Sequence, residues 1–366
     1  MNGVFMKYID EYRDSKLIET LARSIKSAAE GLYTFMEVCG GHTAAIHRFG
    51  IRDILPQNIR LISGPGCPVC VTGKDFIDRA IAMSGIDNCI MATYGDLMRV
   101  PGSLFSLEKA NASGADIRVV FSALEALDLA ERFPERKIIF LGIGFETTAP
   151  GTAVALCKAE EKNIRNFFVL SAHKLMPPAM EAIIKDGTGI NGFICPGHVA
   201  TITGSSAFEF ISGRYGTACV VTGFEPVDIL QSVLMLVNQV NAGMPAVEIQ
   251  YTRAVTIHGN LRARKYLGQV FEPGDAIWRG LGIVPESGLV LRDRYGRFDA
   301  SSVFPLSVVT KDDDGKCICG DILRGLRTPS DCTLFGKVCI PSDPVGACMV
   351  SDEGACNIFY RYGKHE

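Results

Sequence analysis

Two short stretches hold residues whose types and spacing could do chemistry: VCGGHTAAIHRFG, residues 38–50, and GPGCPVC, residues 64–70. In the first, Cys39 and His42 flank a glycine pair, so a thiolate and an imidazole sit on a loop whose backbone can approach a ligand closely. The same pattern also fits a tight turn with a packed cysteine and a capping His-Thr pair. Two ligands do not close a structural zinc site, which takes four, so a metal here keeps open positions or draws on the second stretch. There, Cys67 and Cys70 have the C-x-x-C spacing of thioredoxin-type pairs, whose thiols can close a small disulfide ring. Thr72 and Asp75 read as a capping box opening a helix over residues 74–83. That would place the pair beside a helix N-terminus, where thiol pKa falls.

Six of the thirteen cysteines crowd the end of the chain: Cys317, Cys319, Cys332, Cys339, Cys348 and Cys356. A [4Fe–4S] cluster takes four thiolates, which leaves two over. Four-cysteine zinc sites normally show two short C-x-x-C hooks, and none occurs here, so the spacing favours iron–sulfur. Cys89, Cys157 and Cys219 fall in predicted strands or helices and read as small core residues. His173 and His198 each follow a predicted strand, and Glu146, also at a strand end, is placed to accept a hydrogen bond from one of these groups or from a thiol. His47 reads as structural. GIGFET lacks the third glycine of a dinucleotide loop, because Thr147 stands there, and no Walker lysine is present.

These residues need a scaffold, and the apolar pattern supplies one. Eight short runs rich in β-branched and aromatic residues recur about every 25 to 30 residues, the spacing of a strand, a helix and a return. TFMEV (34–38), IRLIS (59–63), CIMATY (89–94) and IRVVF (117–121) form one set. KIIFL (137–141), FFVLS (167–171), GFICP (192–196) and ACVVT (218–222) form another. Helical patterns at 74–83, 123–133 and 178–187 supply crossovers, a helix at about 10–30 precedes the first set and one at 226–240 closes the second. The expected fold class is α/β: two similar four-stranded parallel-sheet modules, residues 1–135 and 136–245, facing a cleft. Residues 246–366, richer in glycine and proline, form a smaller C-terminal iron–sulfur domain. The unusual residues all follow predicted strands, and open α/β sheets bind ligands at the carboxyl ends of their strands.

Composition narrows the function classes. With 47% hydrophobic residues, 21% charged residues and a formal net charge of −3, nothing favours disorder or nucleic acid as a ligand. The N-terminus is broken by charge, no stretch approaches the roughly 20 apolar residues of a membrane span, and the expected location is the cytoplasm.

Four motifs together carry a resemblance. CGGHT, GPGCPVCVT, PGHVATITG and a C-terminal C-x14-C-x6-C-x16-C closely resemble the HypD family of [NiFe]-hydrogenase maturation factors, over nearly the whole chain and without departure in any motif. The resemblance implies a redox-active assembly scaffold rather than a turnover enzyme. With a small HypC-type partner, it would bind iron and assemble the Fe(CN)2CO moiety, cyanide arriving from a HypE-type donor, before delivery to the hydrogenase large subunit. Carried over, Cys39 is the implied iron ligand, His42 its neighbour, and Cys67 and Cys70 the redox pair; His198 and Glu146, from their places at strand ends, are read as further binding residues. Cys317, Cys332, Cys339 and Cys356 are the implied [4Fe–4S] ligands. Cys319 and Cys348 then become a second dithiol, passing electrons towards Cys67 and Cys70 much as in ferredoxin:thioredoxin reductase. A free-standing disulfide reductase of that type is the alternative reading, and a zinc-binding interaction module is a third.

Overall fold

All eight apolar runs form strands, because β-branched and aromatic side chains pack well on a pleated surface covered on both faces. The computed structural model describes residues 6–7, 9–185, 187, 189–311 and 315–363. The eight are β1 (Tyr33–Glu37), β2 (Ile59–Ser63), β3 (Cys89–Thr93), β4 (Ile117–Val119), β5 (Lys137–Gly144), β6 (Phe167–His173), β7 (Gly192–Pro196) and β8 (Ala218–Thr222). Three more follow: β9 (Val247–Ile249), β10 (Phe271–Trp278) and β11 (Gly282–Leu291). Helices Ser15–Ala28, Lys74–Ser84, Ala123–Arg132, Met176–Ile184 and Pro226–Ala242 match the expected ones; the predicted extension of the fourth to 187 crosses Asp186, outside the described residues.

The class is α/β with parallel sheets, but the strands are shared out differently from the expected halves. One sheet has five strands in the order β2-β1-β7-β8-β9, the other four in the order β4-β3-β5-β6. The chain starts the first sheet, leaves it after β2, builds the whole second sheet, and returns with β7. Strand periodicity could not reveal this, because a βα unit has the same rhythm whether its next strand joins the same sheet or another. The three-residue β9, inside the expected third region, pairs in parallel with β8.

Both sheets share a 2-1-3-4 order at their core, so each has a point where neighbouring strands, β1 and β7 or β3 and β5, send their connections opposite ways. Such switch points open a crevice at the strand ends. CGGHT follows β1 and PGHVA follows β7, so both border the crevice of the first sheet.

After β9 come an antiparallel hairpin, β10 and β11, and a run of short helices carrying the six cysteines. Cys319, Ile322, Cys339, Cys348 and Met349 of this run join Val38, Cys67 and Cys70 in one apolar cluster. Five of the six C-terminal cysteines, all but Cys332, thus belong to or pack against the main core.

Candidate functional site

Cys39 ends the β1 connection and is the N-cap of the helix Gly40–Arg48. Its two neighbouring loops come within contact of its backbone. A side chain on Gly66 would lie 2.2 Å from the Cys39 nitrogen, and one on Gly40 would lie 2.5 Å from Glu353, so glycine at both places lets three chain segments meet. A hydrogen bond from the Gly40 amide to the Gly66 carbonyl (3.1 Å) joins CGGHT to GPGCPVC directly.

Cys39 is buried. Burial, then the negative field of Glu353, pushes its thiol up to about 12, outweighing the Gly41 and His42 amides that favour thiolate. A metal ion must therefore displace a proton to bind it. Beneath it, buried Glu37 accepts from the Thr43 hydroxyl (2.6 Å) and the Cys39 amide (3.4 Å). Burial raises this carboxyl to about 7.

His42 is fully buried and its tautomer follows from its partners. Nε2 faces the carbonyls of Thr222 (3.2 Å) and Gly223 (3.0 Å), which only accept, so Nε2 carries the hydrogen. Nδ1 is left with its lone pair, buried and without a partner among the described residues. Burial pushes the ring down to about 4, so it is neutral at pH 7 and available as an acceptor or ligand. Phe224 lies between two imidazoles, stacked on His42 at 4.4 Å and on the exposed His198 at 3.9 Å between ring centroids. That single ring ties the loop after β1 to the loops after β7 and β8.

Cys67 caps the four-residue helix Pro68–Val71 and accepts from the Cys70 amide at 3.4 Å. The expected Thr72–Asp75 capping box does not form. Gly73 is the N-cap of the helix Lys74–Ser84, and the Thr72 hydroxyl donates to the Pro68 carbonyl instead. The Cys70 thiol is raised, not lowered: burial dominates, and the hydrogen bond with Cys348 only partly opposes it. Cys70 thus reaches Cys67 on one side and Cys348 on the other. Cys319 and Cys348 lie sulfur to sulfur at 2.6 Å, beyond the ~2.05 Å of a bond.

All six C-terminal cysteines line one cavity, closed by Ile322, Leu334, Phe335 and Met349. The Val345 amide donates to the Cys339 sulfur at 3.4 Å. Among the described residues no three ligand side chains converge on a single ion. A cubane does not need such convergence, because each thiolate caps its own iron. Apolar walls, several thiols and a backbone donor to sulfur are the setting a [4Fe–4S] group fits.

The HypD family model, described as "Hydrogenase formation hypA family", matches residues 15–363. The chain belongs to the HypD family. It is similar to the hydrogenase maturation factor HypD2 of Bradyrhizobium diazoefficiens, 48% identical over 98% of this chain and 97% of that protein. The hydrogenase maturation factor HypD of Escherichia coli is 42% identical over 99% of each. A putative hydrogenase expression/formation protein of Methanocaldococcus jannaschii is 44% identical over 95% of this chain and 98% of that one. As a HypD-family member the chain has a role in hydrogenase maturation. No helix among its described residues is long and apolar enough to cross a membrane.

In this HypD-family chain the strand ends of the second sheet are arranged otherwise. Glu146 is buried and accepts from the Met176 amide (3.0 Å), not from a thiol or histidine. Burial raises it to about 7. His173 bonds Thr152 through Nε2 at 2.9 Å, and burial holds it near pH 4. His47 packs edge-on against Phe359, and Cys89, Cys157 and Cys219 are buried core residues. The residues missed in the sequence are Phe224, Glu37 and Glu353. Only Phe224 gave a signal, an aromatic in the strand-end loop TGFEP.

Proposed function

We propose that this protein is the cytoplasmic scaffold on which iron, its cargo, acquires two cyanides and one carbon monoxide, in complex with a HypC-type partner. A HypE-type protein supplies cyanide, and the finished group passes to the hydrogenase large subunit. The observation that carries this reading is the unbroken run of thiols from the C-terminal cavity to the loop touching Cys39.

Cys39 holds the iron. A soft thiolate suits low-spin iron(II) with strong-field ligands, and one protein thiolate leaves positions for the diatomics and for a partner's donor. His42, neutral with Nδ1 unpartnered, orients or accepts a proton beside it, and Phe224 fixes its plane. Cys317, Cys332, Cys339 and Cys356 would hold a [4Fe–4S] cluster, which when bound supplies electrons one at a time. The protein's own dithiols then exchange in pairs. The Cys348 thiolate attacks Cys70 of a Cys67–Cys70 disulfide, releasing the Cys67 thiolate, which takes up a proton. Cys319 resolves the mixed disulfide, leaving Cys319–Cys348 oxidised and Cys67 and Cys70 reduced. The contacts of Cys348 with both Cys70 and Cys319 support this order.

The test is Cys39→Ala in protein purified anaerobically with its small partner. The variant is expected to lose non-cluster iron and the cyanide and carbonyl infrared bands while keeping labile sulfide. Bands that survive the substitution would overturn the scaffold and leave a disulfide reductase, which needs only the other cysteines. In mass mapping after thiol labelling, Cys319 and Cys348 separately alkylated under every redox condition would overturn the relay.

A further inference from the structure

A second cavity, of ≈340 Å³, lies beyond the thiols. Arg52, Arg60 of β2 and Arg327 of the C-terminal run line it, over a floor that includes Leu61, Ile322 and Phe359. Ile322 also lines the thiol cavity, so one side chain separates the two spaces.

The three guanidinium groups are gathered rather than scattered. Arg52 feels the attraction of buried Glu37 ahead of the repulsion of Arg60, and Arg60 and Arg327 both act on the carboxyl of Asp331. Among the described residues none of the three forms an ion pair or hydrogen bond. Asp331 is already engaged, accepting from the Thr328 amide and hydroxyl. His47, which also faces the cavity, is pushed down to about 4 by burial and then by Arg52, so it adds a neutral ring and no charge.

Three exposed arginines around one concave, partly apolar recess make a concentrated positive surface that an oxyanion neutralises. Guanidinium forks match carboxylate and phosphate oxygens two at a time. General basicity does not explain the cluster, since the chain has 37 lysines and arginines against 40 aspartates and glutamates. Only Arg52 reaches towards the Cys39 loop, through the field of buried Glu37; Arg60 and Arg327 have no such link among the described residues. We propose that this cavity binds a small multivalent oxyanion, a molecule presenting two or more phosphate or carboxylate groups, held by Arg52, Arg60 and Arg327.

Calorimetric titration of the full chain at fixed ionic strength tests this, with pyrophosphate and citrate as probes in separate arms. Saturable one-to-one binding is expected with at least one probe, and the stronger arm tells phosphate from carboxylate chemistry. Each of Arg52→Gln, Arg60→Gln and Arg327→Gln should weaken it about tenfold, the value of a charge-assisted bond. Arg327→Lys should recover only part of the loss, because a point charge lacks the fork. These side chains lie at the rim of the core, so unchanged thermal melting of the variants confirms folding. No saturable heat with either probe, or equal affinity in the triple glutamine variant, would overturn the proposal. The measurement needs neither iron nor the partner, so its failure is separate from any failure of the scaffold reading.

Discussion

The two sheets have the same strand order at their switch points and opposite treatment of the crevice. Beside β1 and β7, the His42 Nδ1 lone pair is buried without a partner among the described residues, Cys39 is held by the amides of its own loop, and His198 is exposed. Beside β3 and β5, the strand-end loops are capped by the β10–β11 hairpin. Trp278 stacks on Phe145 at 5.9 Å and donates to Ser287 at 2.8 Å, while the Lys174 ammonium donates to the Ile277 carbonyl at 2.7 Å. Topology offers a site at both places, and at the second the hairpin covers the strand ends, leaving a cavity of ≈260 Å³ lined by His173, Lys174 and Asp275. A switch point is therefore an opportunity for function. Among the described residues, buried unpartnered atoms lie at both ends, Nδ1 of His42 at one and Oε2 of Glu146 with Nδ1 of His173 at the other, and the covering hairpin is what sets the two apart.

If the hairpin is a plug, Trp278→Ala should cost about 3–5 kcal/mol in denaturant unfolding, as for other large buried aromatics. Iron bound per folded molecule should not change, because the other crevice is untouched. A loss of iron at full folding would mean that both crevices form one site.

Glu146→Gln probes the same plugged end by pH. The native carboxyl titrates near 7 and the unfolded one near its ordinary value of 4.5, so between them the native state holds a proton that the unfolded state releases. Its contribution is present below pH 4.5 and is lost as pH rises through 7, by about 2–3 kcal/mol. Glutamine keeps the acceptor for the Met176 amide but cannot titrate. The stability difference between variant and wild type should grow in the variant's favour from pH 5 to 7; a flat difference would show that Glu146 is ionised throughout.

At the open end the expected change is smaller. Phe224→Leu removes the ring stacked between His42 and His198, worth about 1 kcal/mol, and should weaken iron binding about fivefold. Phe224→Tyr keeps the ring and should restore it. Equal affinities in both variants would reduce Phe224 to packing.

The strands were legible because most bury both faces and leave an apolar run; β7 and β8, buried throughout, match their runs residue for residue, whereas β2 and β4 leave positions exposed. Sheet membership was not legible, since it depends on which crossover lands where. The meeting of CGGHT with CPVC followed from the strand-end rule, as β1 and β2 are neighbours in register. The Thr72–Asp75 signal misled because the threonine hydroxyl found a nearer acceptor in the Pro68 carbonyl. Glu353 was invisible: nothing in SDEGAC announces contact with a residue more than 300 positions earlier.

That contact between Gly40 and Glu353 has a consequence for biosynthesis. At roughly 5–20 residues per second, the ribosome exposes the CGGHT loop on the order of 15–60 s before Glu353 exists. β1 likewise waits for β7, its neighbour at the crevice. A nascent chain therefore carries the Cys39 thiol without the walls that surround it in the finished protein, and the proposed iron site is assembled only once residue 353 has been made.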